Sequence, residues 1–280
     1  MKNFDTEIVV YIMSCDATKD VALHFFEAFK KYWPDCPYNI AIGSNTDDGS
    51  IYIDKIREIK VLSNKSNWKA ESLNQINALK KEYPKVKYVL LMLDDFILNE
   101  GVNTSELVNV ADAAIKNKLG YIGLKPLSLS IWSKLFLKLK TISLSGVSFF
   151  HVPKRYPYYS SLQIALWDVD YLYYMIKNCQ NIWDFETIDA CDDYGVRPHI
   201  ATSKIIFKYK HIVEKGEWDI GAEQHCKKAI GYFNEGKRKF KKNIFGAFGR
   251  SLSLLRFQVF GFLPMRLKKG LKKLMEKLND

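Results

Sequence analysis

Short, strongly apolar runs recur along the first half of the chain. Residues 88–93 read Tyr-Val-Leu-Leu-Met-Leu, and Glu7–Met13 and Tyr38–Ile42 carry similar runs. Runs of this length, rich in branched and aromatic residues, are typical of strands buried on both faces of a largely parallel sheet. The pattern therefore predicts an α/β sheet with residues 88–93 as its central strand.

The segments between these runs have the spacing of amphipathic helices. Lys19–Trp33 places Val21, Phe25 and Phe29 on one face and ends before Pro34, which disfavours helix at the preceding residue. A strand, two helices and a short strand are predicted beyond it, at Ile56–Leu62, Trp68–Lys81, Thr104–Lys118 and Tyr121–Leu124. This alternation predicts one α/β domain, whose mostly parallel sheet is flanked by helices and binds ligands at the carboxyl ends of its strands.

The second half of the chain has less regular patterns. Tyr158–Trp167 predicts a strand that leads into a helix, Asp168–Asn178. Residues 127–150 follow no clean strand period, although Ile131–Leu139 places apolar residues on one helical face beside lysines. That face indicates a lid, a surface that meets lipid, or a helix packed on the core.

Composition agrees with one large domain and an appendage. The chain has 280 residues, 48% of them hydrophobic, so it can bury a sizeable core. Its five cysteines include no Cys-x-x-Cys pair, which indicates neither a disulfide framework nor a structural zinc site. Asp5 and Glu7 lie where a signal peptide would be apolar, so we expect a cytoplasmic protein.

The net charge of +11 belongs to one end of the chain. Residues 237–280 hold thirteen of the 42 basic residues but two of the 31 acidic ones, so residues 1–236 are formally neutral. The excess charge therefore describes what the tail touches and not the chemistry of the body. We predict a body at 1–236, a basic tail at 237–280, and no binding of nucleic acid.

The tail has the pattern of a membrane-surface anchor. After Pro264, leucines recur at helical spacing while Lys and Arg fill the other positions. Basic amphipathic helices bind anionic lipid, and each cation near the surface contributes on the order of 1 kcal/mol. Residues 244–263 are apolar but interrupted by Arg250 and Arg256, too often to span a bilayer. The alternative is a helix that docks on the body or on another subunit.

Two segments carry candidate chemistry. Asp94 and Asp95 follow the central strand, where carboxylates suit a divalent metal, a metal-bridged diphosphate or a ribose hydroxyl. The alternative without a ligand is that Asp94 caps a turn and Asp95 is solvated. Further along, polar and flat aromatic residues that suit a sugar gather just before two acids: Gln163, Trp167 and Trp183, followed by Asp184 and Glu186. Helix capping would explain the acids alone.

The order of these segments resembles a known family. An Asp-Asp strand end, Ser-Leu-Gln-x-x-Leu-Trp, Trp-Asp-Phe-Glu and Glu-Lys-Gly-x-Trp follow one another between Ile8 and Trp218. This succession resembles bacterial glycosyltransferases of the GT-A fold that build surface polysaccharides. The resemblance implies a nucleotide-sugar donor, a glycan acceptor carried on a lipid, and a location on the cytoplasmic face of the cell membrane.

The resemblance also assigns roles to residues. Asp95 would hold a divalent metal, Mn or Mg, on the donor diphosphate, with His211 as a further ligand. Asp94 would contact the donor, although Leu93 replaces the first acid of the family's Asp-x-Asp motif, which puts ribose recognition and strict metal dependence in question. The other donor contacts implied are Ser14, Asp16 and Lys215. Gln163, Trp167 and Trp183 would contact the acceptor or the sugar.

An inverting transferase also needs a general base on the acceptor hydroxyl. The resemblance gives this role to Glu186, with Asp184 as second choice, and a carboxylate within hydrogen-bond reach of that hydroxyl can take its proton. Two other classes stay open. A nucleotidyltransferase would need a glycine-rich, Arg-containing loop after the first strand, which residues 14–18 lack. A non-catalytic membrane or nucleic-acid binding module would leave the two acidic segments unexplained.

Overall fold

The computed structural model describes residues 7–45, 56–60, 67–126, 140–152, 159–187 and 197–241, with the backbone alone at 56–60, Trp183 and Thr187. The helices are α1 Lys19–Tyr32, α2 Trp68–Glu82, α3 Thr104–Asn117, α4 Val169–Asn178, α5 Ile182–Thr187 and α6 Ala222–Ile230. The strands are β1 Ile8–Met13, β2 Asn39–Ser44, β3 Ile56–Lys60, β4 Tyr88–Leu93, β5 Phe96–Leu98, β6 Tyr121–Gly123, β7 Thr141–Leu144, β8 Val147–His151, β9 Ala165–Asp168, β10 His199–Thr202, β11 Tyr209–His211, β12 Val213–Glu214 and β13 Glu217–Trp218.

A nine-stranded sheet in the order β3-β2-β1-β4-β9-β6-β10-β8-β7 forms the centre of the molecule. Strands β3, β2, β1 and β4 are mutually parallel, and β6 and β10 are parallel to each other. Only β9 and β8, of the strands in this sheet, run against the rest. The predicted α/β class, with a mostly parallel sheet flanked by helices, is confirmed.

The two faces of the sheet bury separate apolar clusters. In β1, Ile8, Val10 and Ile12 contribute to the cluster that also contains α1, α3 and α6. The alternate residues Val9 and Tyr11 contribute to the cluster with α2 and α4. Because neighbouring side chains of a strand point to opposite faces, a strand between two helical layers is apolar at every position.

Strands β7, β8 and β9 are among those that differ from the sequence expectation. Strand β9 begins at Ala165, because the amides of Leu162 and Gln163 donate to side chains of Glu186 and Ser161 and not to a neighbouring strand. The antiparallel hairpin β7–β8 occupies a segment without a clean strand period, and most of its residues are partly or fully exposed at the sheet edge. Apolar residues 131–139 lie outside the described residues.

Residues 237–241 belong to the body. The amide of Trp218 donates to Lys239 O at 2.8 Å, and the amide of Lys241 donates to Trp218 O at 3.0 Å. The described body therefore extends five residues beyond the predicted boundary at Gly236, and residues 242–280 of the predicted tail lie outside the described part. No helix within the described ranges is long and apolar enough to cross a membrane.

Candidate functional site

Asp94 lies beneath the loop that follows β1. The hydroxyls of Ser14 and Thr18 both donate to its Oδ2, the latter at 2.5 Å, and Asp94 is 6% exposed. Burial raises the pKa of Asp94 to about 7, although the two hydroxyls and Arg238 act to lower it. With Oδ2 engaged by the loop, Asp94 holds the loop in place and does not present that oxygen to a ligand.

Asp16 joins the loop after β1 to the loop after β2. The Asp16 amide donates to Asn45 Oδ1 at 3.0 Å, and the Asn45 amide donates to Asp16 Oδ1 at 2.9 Å. Lys19 Nζ lies 3.4 Å from the same carboxylate oxygen. Parallel strands place their following loops at one edge, so Ser14, Asp16 and Asp94 share the edge where such sheets bind ligands.

Asp95 and His211 are brought together by the pairing of β5 with β11. The register sets His211 opposite Phe96, the residue after Asp95, and the Ile212 amide donates to Asp95 O at 3.1 Å. His211 Nδ1 consequently lies 3.4 Å from Asp95 Oδ2. Asp95 Oδ1 is buried with no hydrogen-bond partner in the described part of the chain.

Gln163 extends this contact into a chain of polar groups. Tyr209 donates its hydroxyl to Gln163 Oε1 at 2.6 Å, and Gln163 Nε2 lies 3.1 Å from His211 Nε2. The amide can donate there only when that ring nitrogen is unprotonated, which puts the proton of a neutral ring on Nδ1, facing Asp95. Tyr209 was not predicted as a site residue, because nothing in sequence separates it from the many core tyrosines.

Glu186 reaches the same region from α5. Its Oε1 accepts from the Leu162 amide at 2.9 Å and from Ser161 Oγ at 3.2 Å, and Phe185 anchors the helix in the core. Burial raises the pKa of Glu186, while these two donors and the nearby His211 act to lower it. Glu186 thus bonds Leu162, and the next residue, Gln163, contacts His211, which in turn lies against Asp95.

Asp184 and Trp183 contribute less to this cluster. Asp184 exchanges hydrogen bonds with Asn181, which donates to Asp184 Oδ2 at 3.2 Å and accepts from the Asp184 amide at 3.0 Å. These contacts are those of a helix start. Trp183 belongs to α5, and its side chain lies outside the described residues.

The prediction that Trp167 contacts a sugar is not supported. Trp167 is 0% exposed and packs in the core, with ring centroids 4.5 Å from Tyr121 and 5.6 Å from Phe185. A tryptophan in the middle of a strand faces one helical layer of the sheet, and here that layer covers it completely. Although Trp167 is close to Gln163 in sequence, its side chain is therefore part of the core and not of the polar cluster around Gln163.

Lys215 forms the exposed tip of the β12–β13 hairpin. It adopts a left-handed backbone conformation with φ 53°, followed by Gly216 with φ 81°. Arg238 donates to Gly216 O at 2.7 Å and to Ala17 O at 2.9 Å. One guanidinium therefore connects the hairpin of Lys215 to the loop of Ser14 and Asp16.

Asp95 and His211 offer a divalent metal two side-chain ligands, and His211 can bind it through Nδ1 only as the tautomer protonated on Nε2, which requires the Gln163 amide to turn its oxygen toward that nitrogen. The unpartnered oxygen of Asp95 suits a cation, and two protein ligands leave the other coordination positions to ligand oxygens and water. No group of three or more His, Cys, Asp and Glu side chains that could hold a metal occurs in the residues described.

No protein-family model matches the chain, and no curated protein matches it. Among solved structures, a fragment of S. aureus TarS, residues 1–349, is 12% identical over 72% of this chain and 59% of that chain, with TM-score 0.45. The same fragment in complex with UDP gives 10%, 70%, 61% and 0.40. The galactosyltransferase LgtC with donor and acceptor sugar analogues gives 14%, 66%, 66% and 0.34. This chain spans less than two thirds of the TarS fragment, and similarities of this size define neither a family nor a function.

Proposed function

We propose that this protein is a glycosyltransferase that moves a sugar from a nucleotide-sugar donor to a hydroxyl of a glycan acceptor. The observation that carries the proposal is that Asp95 and His211 lie 3.4 Å apart, while Glu186 bonds Leu162, the neighbour of the Gln163 that contacts His211. Their sequence motifs resemble those of GT-A glycosyltransferases, and a general base near a diphosphate site is what an inverting transfer needs.

Glu186 is the proposed base. Both of its hydrogen bonds to Leu162 and Ser161 end on Oε1, so Oε2 is the oxygen for the acceptor hydroxyl. Because the pKa of Glu186 is raised toward the working pH, its carboxylate is a better proton acceptor than an ordinary glutamate. Asp184, engaged with Asn181, remains the second choice.

The loop that contains Ser14 and Asp16 is the proposed site for the base and ribose of the donor. Asp95 and His211 would hold a divalent cation, Mn or Mg, which would neutralise charge on the leaving diphosphate. Lys215, on the adjacent hairpin, would offset the same charge. Gln163 would contact the sugar or the acceptor through the amide edge near His211.

The proposed setting is the inner face of the cell membrane. The basic tail, of which residues 242–280 carry most of the cations, would bind anionic lipid and bring the site to a lipid-linked acceptor. The protein would then be a cytoplasmic enzyme peripheral to the membrane that contributes to a surface polysaccharide.

A thermal-shift panel of UDP, GDP, CMP and dTDP, each with and without manganese, tests donor binding. A nucleotide that binds only the folded protein at 100 times its Kd adds about 2.7 kcal/mol to the free energy of unfolding. We expect one nucleotide to raise Tm, and more so with manganese. Absence of a shift with all four would reject a nucleotide-dependent transferase.

Glu186→Gln tests the base. The variant keeps an acceptor oxygen for Ser161 and Leu162 but cannot take a proton, so turnover should fall by roughly 10² to 10⁴ while nucleotide affinity stays unchanged. Turnover is measured as nucleoside diphosphate release with an extract of lipid-linked glycans as acceptor. Glu223→Gln, on the exposed surface of α6, is the matched control and should retain full turnover. A loss below tenfold in Glu186→Gln would remove Glu186 from the role.

A further inference from the structure

The last described segment of the chain, residues 232–241, forms a clasp across the body. Asn234 donates its amide to Nε2 of His24 at 2.9 Å, and Trp218 Nε1 donates to Glu235 O at 2.9 Å. Lys241 Nζ lies 2.7 Å from Glu214 Oε2. The clasp therefore spans from α1 to the β12–β13 hairpin.

Arg238 is the centre of this clasp. Its Nε and Nη2 donate to the two carboxylate oxygens of Asp20, at 3.1 and 2.8 Å, while its other contacts are Ala17 O and Gly216 O. The guanidinium lies 5.5 Å from the ring centroid of Trp218, and the side chain is 10% exposed. A planar guanidinium in such a setting fixes its partners in both distance and direction.

The partners of Arg238 are the two loops that flank the proposed donor site. Ala17 belongs to the loop whose Ser14 and Thr18 donate to Asp94, Asp20 lies in the first turn of α1 just after that loop, and Gly216 follows Lys215. The guanidinium thus bonds both segments through main-chain carbonyls. Removing it would release both loops from one another without changing a group that touches the donor.

We infer that Arg238 is a positioning residue for donor binding, which holds the loop of residues 14–18 and the hairpin tip of Lys215 and Gly216 in register. The inference rests on the proposed function, since it assumes that these two loops enclose the nucleotide diphosphate. The inference makes residues 232–241 part of the structure that supports the proposed donor site, and not part of the membrane-binding tail.

Nucleotide affinity of Arg238 variants tests the inference. Arg238→Ala should weaken binding of the nucleotide found in the thermal-shift panel at least tenfold, and Arg238→Lys should recover only part of it because an ammonium cannot span four acceptors. Val110→Ala, in the core of α3, controls for stability, since it should lower Tm and leave Kd unchanged. Arg238→Ala with wild-type Kd would overturn the inference.

Hydrogen exchange of the protein without nucleotide gives a second readout. In Arg238→Ala, amides of residues 14–20 and 213–218 should exchange faster together, whereas α3 and β4 keep their protection. Unchanged exchange in either segment would contradict the inference, even if no nucleotide binds the wild-type protein. Failure of the proposed function would instead appear as no nucleotide binding by the wild-type protein, with the exchange result intact.

Discussion

At the scale of single residues, Asp94 combines burial with two strong hydrogen-bond donors. Burial disfavours its charged form, whereas the hydroxyls of Ser14 and Thr18 favour that form, and burial dominates. The folded state therefore binds this proton more tightly than the unfolded state, in which the pKa takes its ordinary value of 3.8. The ionised form of Asp94 therefore costs stability. Its hydrogen bonds to Ser14 and Thr18 also fix the conformation of the loop that follows β1.

The first prediction concerns the pH dependence that follows. Because the pKa of Asp94 is raised, its contribution to the free energy of unfolding is present below about pH 4 and is lost as pH rises to about 7. Asp94→Asn does not titrate, so the wild-type minus variant difference in urea unfolding should fall across this window. Other carboxyls cancel in that difference. A difference that stays flat from pH 4 to 7.5 would show that Asp94 titrates as an exposed acid.

Sequence named candidate site residues but not their mutual arrangement. Asp95 was singled out because it follows an apolar strand, and His211 and Glu186 because of the family resemblance, whereas the pairing of β5 with β11 that brings Asp95 and His211 together has no local sequence signal. Trp167 was misplaced, because burial of a strand residue depends on which layer covers it. Tyr209 carries no local signal at all.

At the scale of elements, the close approach of β2 to α2 supports the first loop. A Cβ on Gly43 would lie 2.0 Å from Gln75 Oε1 and 2.5 Å from its Nε2. Gln75 is buried, donates to Ser14 O at 3.0 Å and accepts from the Tyr11 hydroxyl at 2.5 Å. Gly43 is therefore needed for space, since an added methyl must displace a side chain that is hydrogen-bonded at both its oxygen and its nitrogen.

The second prediction is that Gly43→Ala lowers the free energy of unfolding by about 1–3 kcal/mol through overpacking and lost hydrogen bonds. Urea unfolding followed by tryptophan fluorescence measures it. Gly101→Ala is the matched control, because its Cβ would meet nothing nearer than Tyr32 O at 4.0 Å, and its stability should change by less than about 1 kcal/mol. Equal losses in both variants would refute a specific role for the Gly43 contact.

Elements buried on both faces were predictable, and edge elements were not. Strands β1 and β4 show continuous apolar runs because helical layers cover both sides of them. The β7–β8 hairpin pairs at the edge with half-exposed side chains, so its sequence carries little alternation. Strand β5 is three residues long and is defined by a partner more than a hundred residues away, which no local pattern contains.

At the scale of the whole molecule, the charge separates the tail from the body but does not fix the boundary. Arg238, Lys239 and Lys241 are cations by composition, yet they contact Asp20, Trp218 and Glu214 of the body. A basic residue in a clasp and a basic residue in a tail look alike in sequence. Composition alone therefore could not show that these three cations, which lie beyond the predicted boundary at Gly236, contact the body.

The third prediction compares two truncations. A chain that ends at Lys241 should keep the Tm and nucleotide affinity of the full chain, because it retains every described contact of the clasp. A chain that ends at Gly236 loses Arg238 and the pairing of Trp218, so its Tm should fall by several degrees and its nucleotide affinity should weaken. Identical behaviour of the two truncated chains would show that residues 237–241 contribute nothing to the body.

The last prediction tests the tail at the membrane, using the chain that ends at Lys241 as the soluble reference. If residues 242–280 bind anionic lipid, the full chain should sediment with vesicles of phosphatidylglycerol and phosphatidylcholine at low salt, and the truncated chain should not. Binding should decrease as salt rises, because exposed charges are screened over about 10 Å at 0.1 M, while apolar contacts retain a fraction. Turnover on a short soluble acceptor should survive the truncation, whereas turnover on acceptor embedded in vesicles should fall. Equal binding of the full chain to neutral and anionic vesicles would contradict an electrostatic contribution to membrane binding. Loss of turnover on the soluble acceptor would show that the folded body needs residues 242–280 for activity.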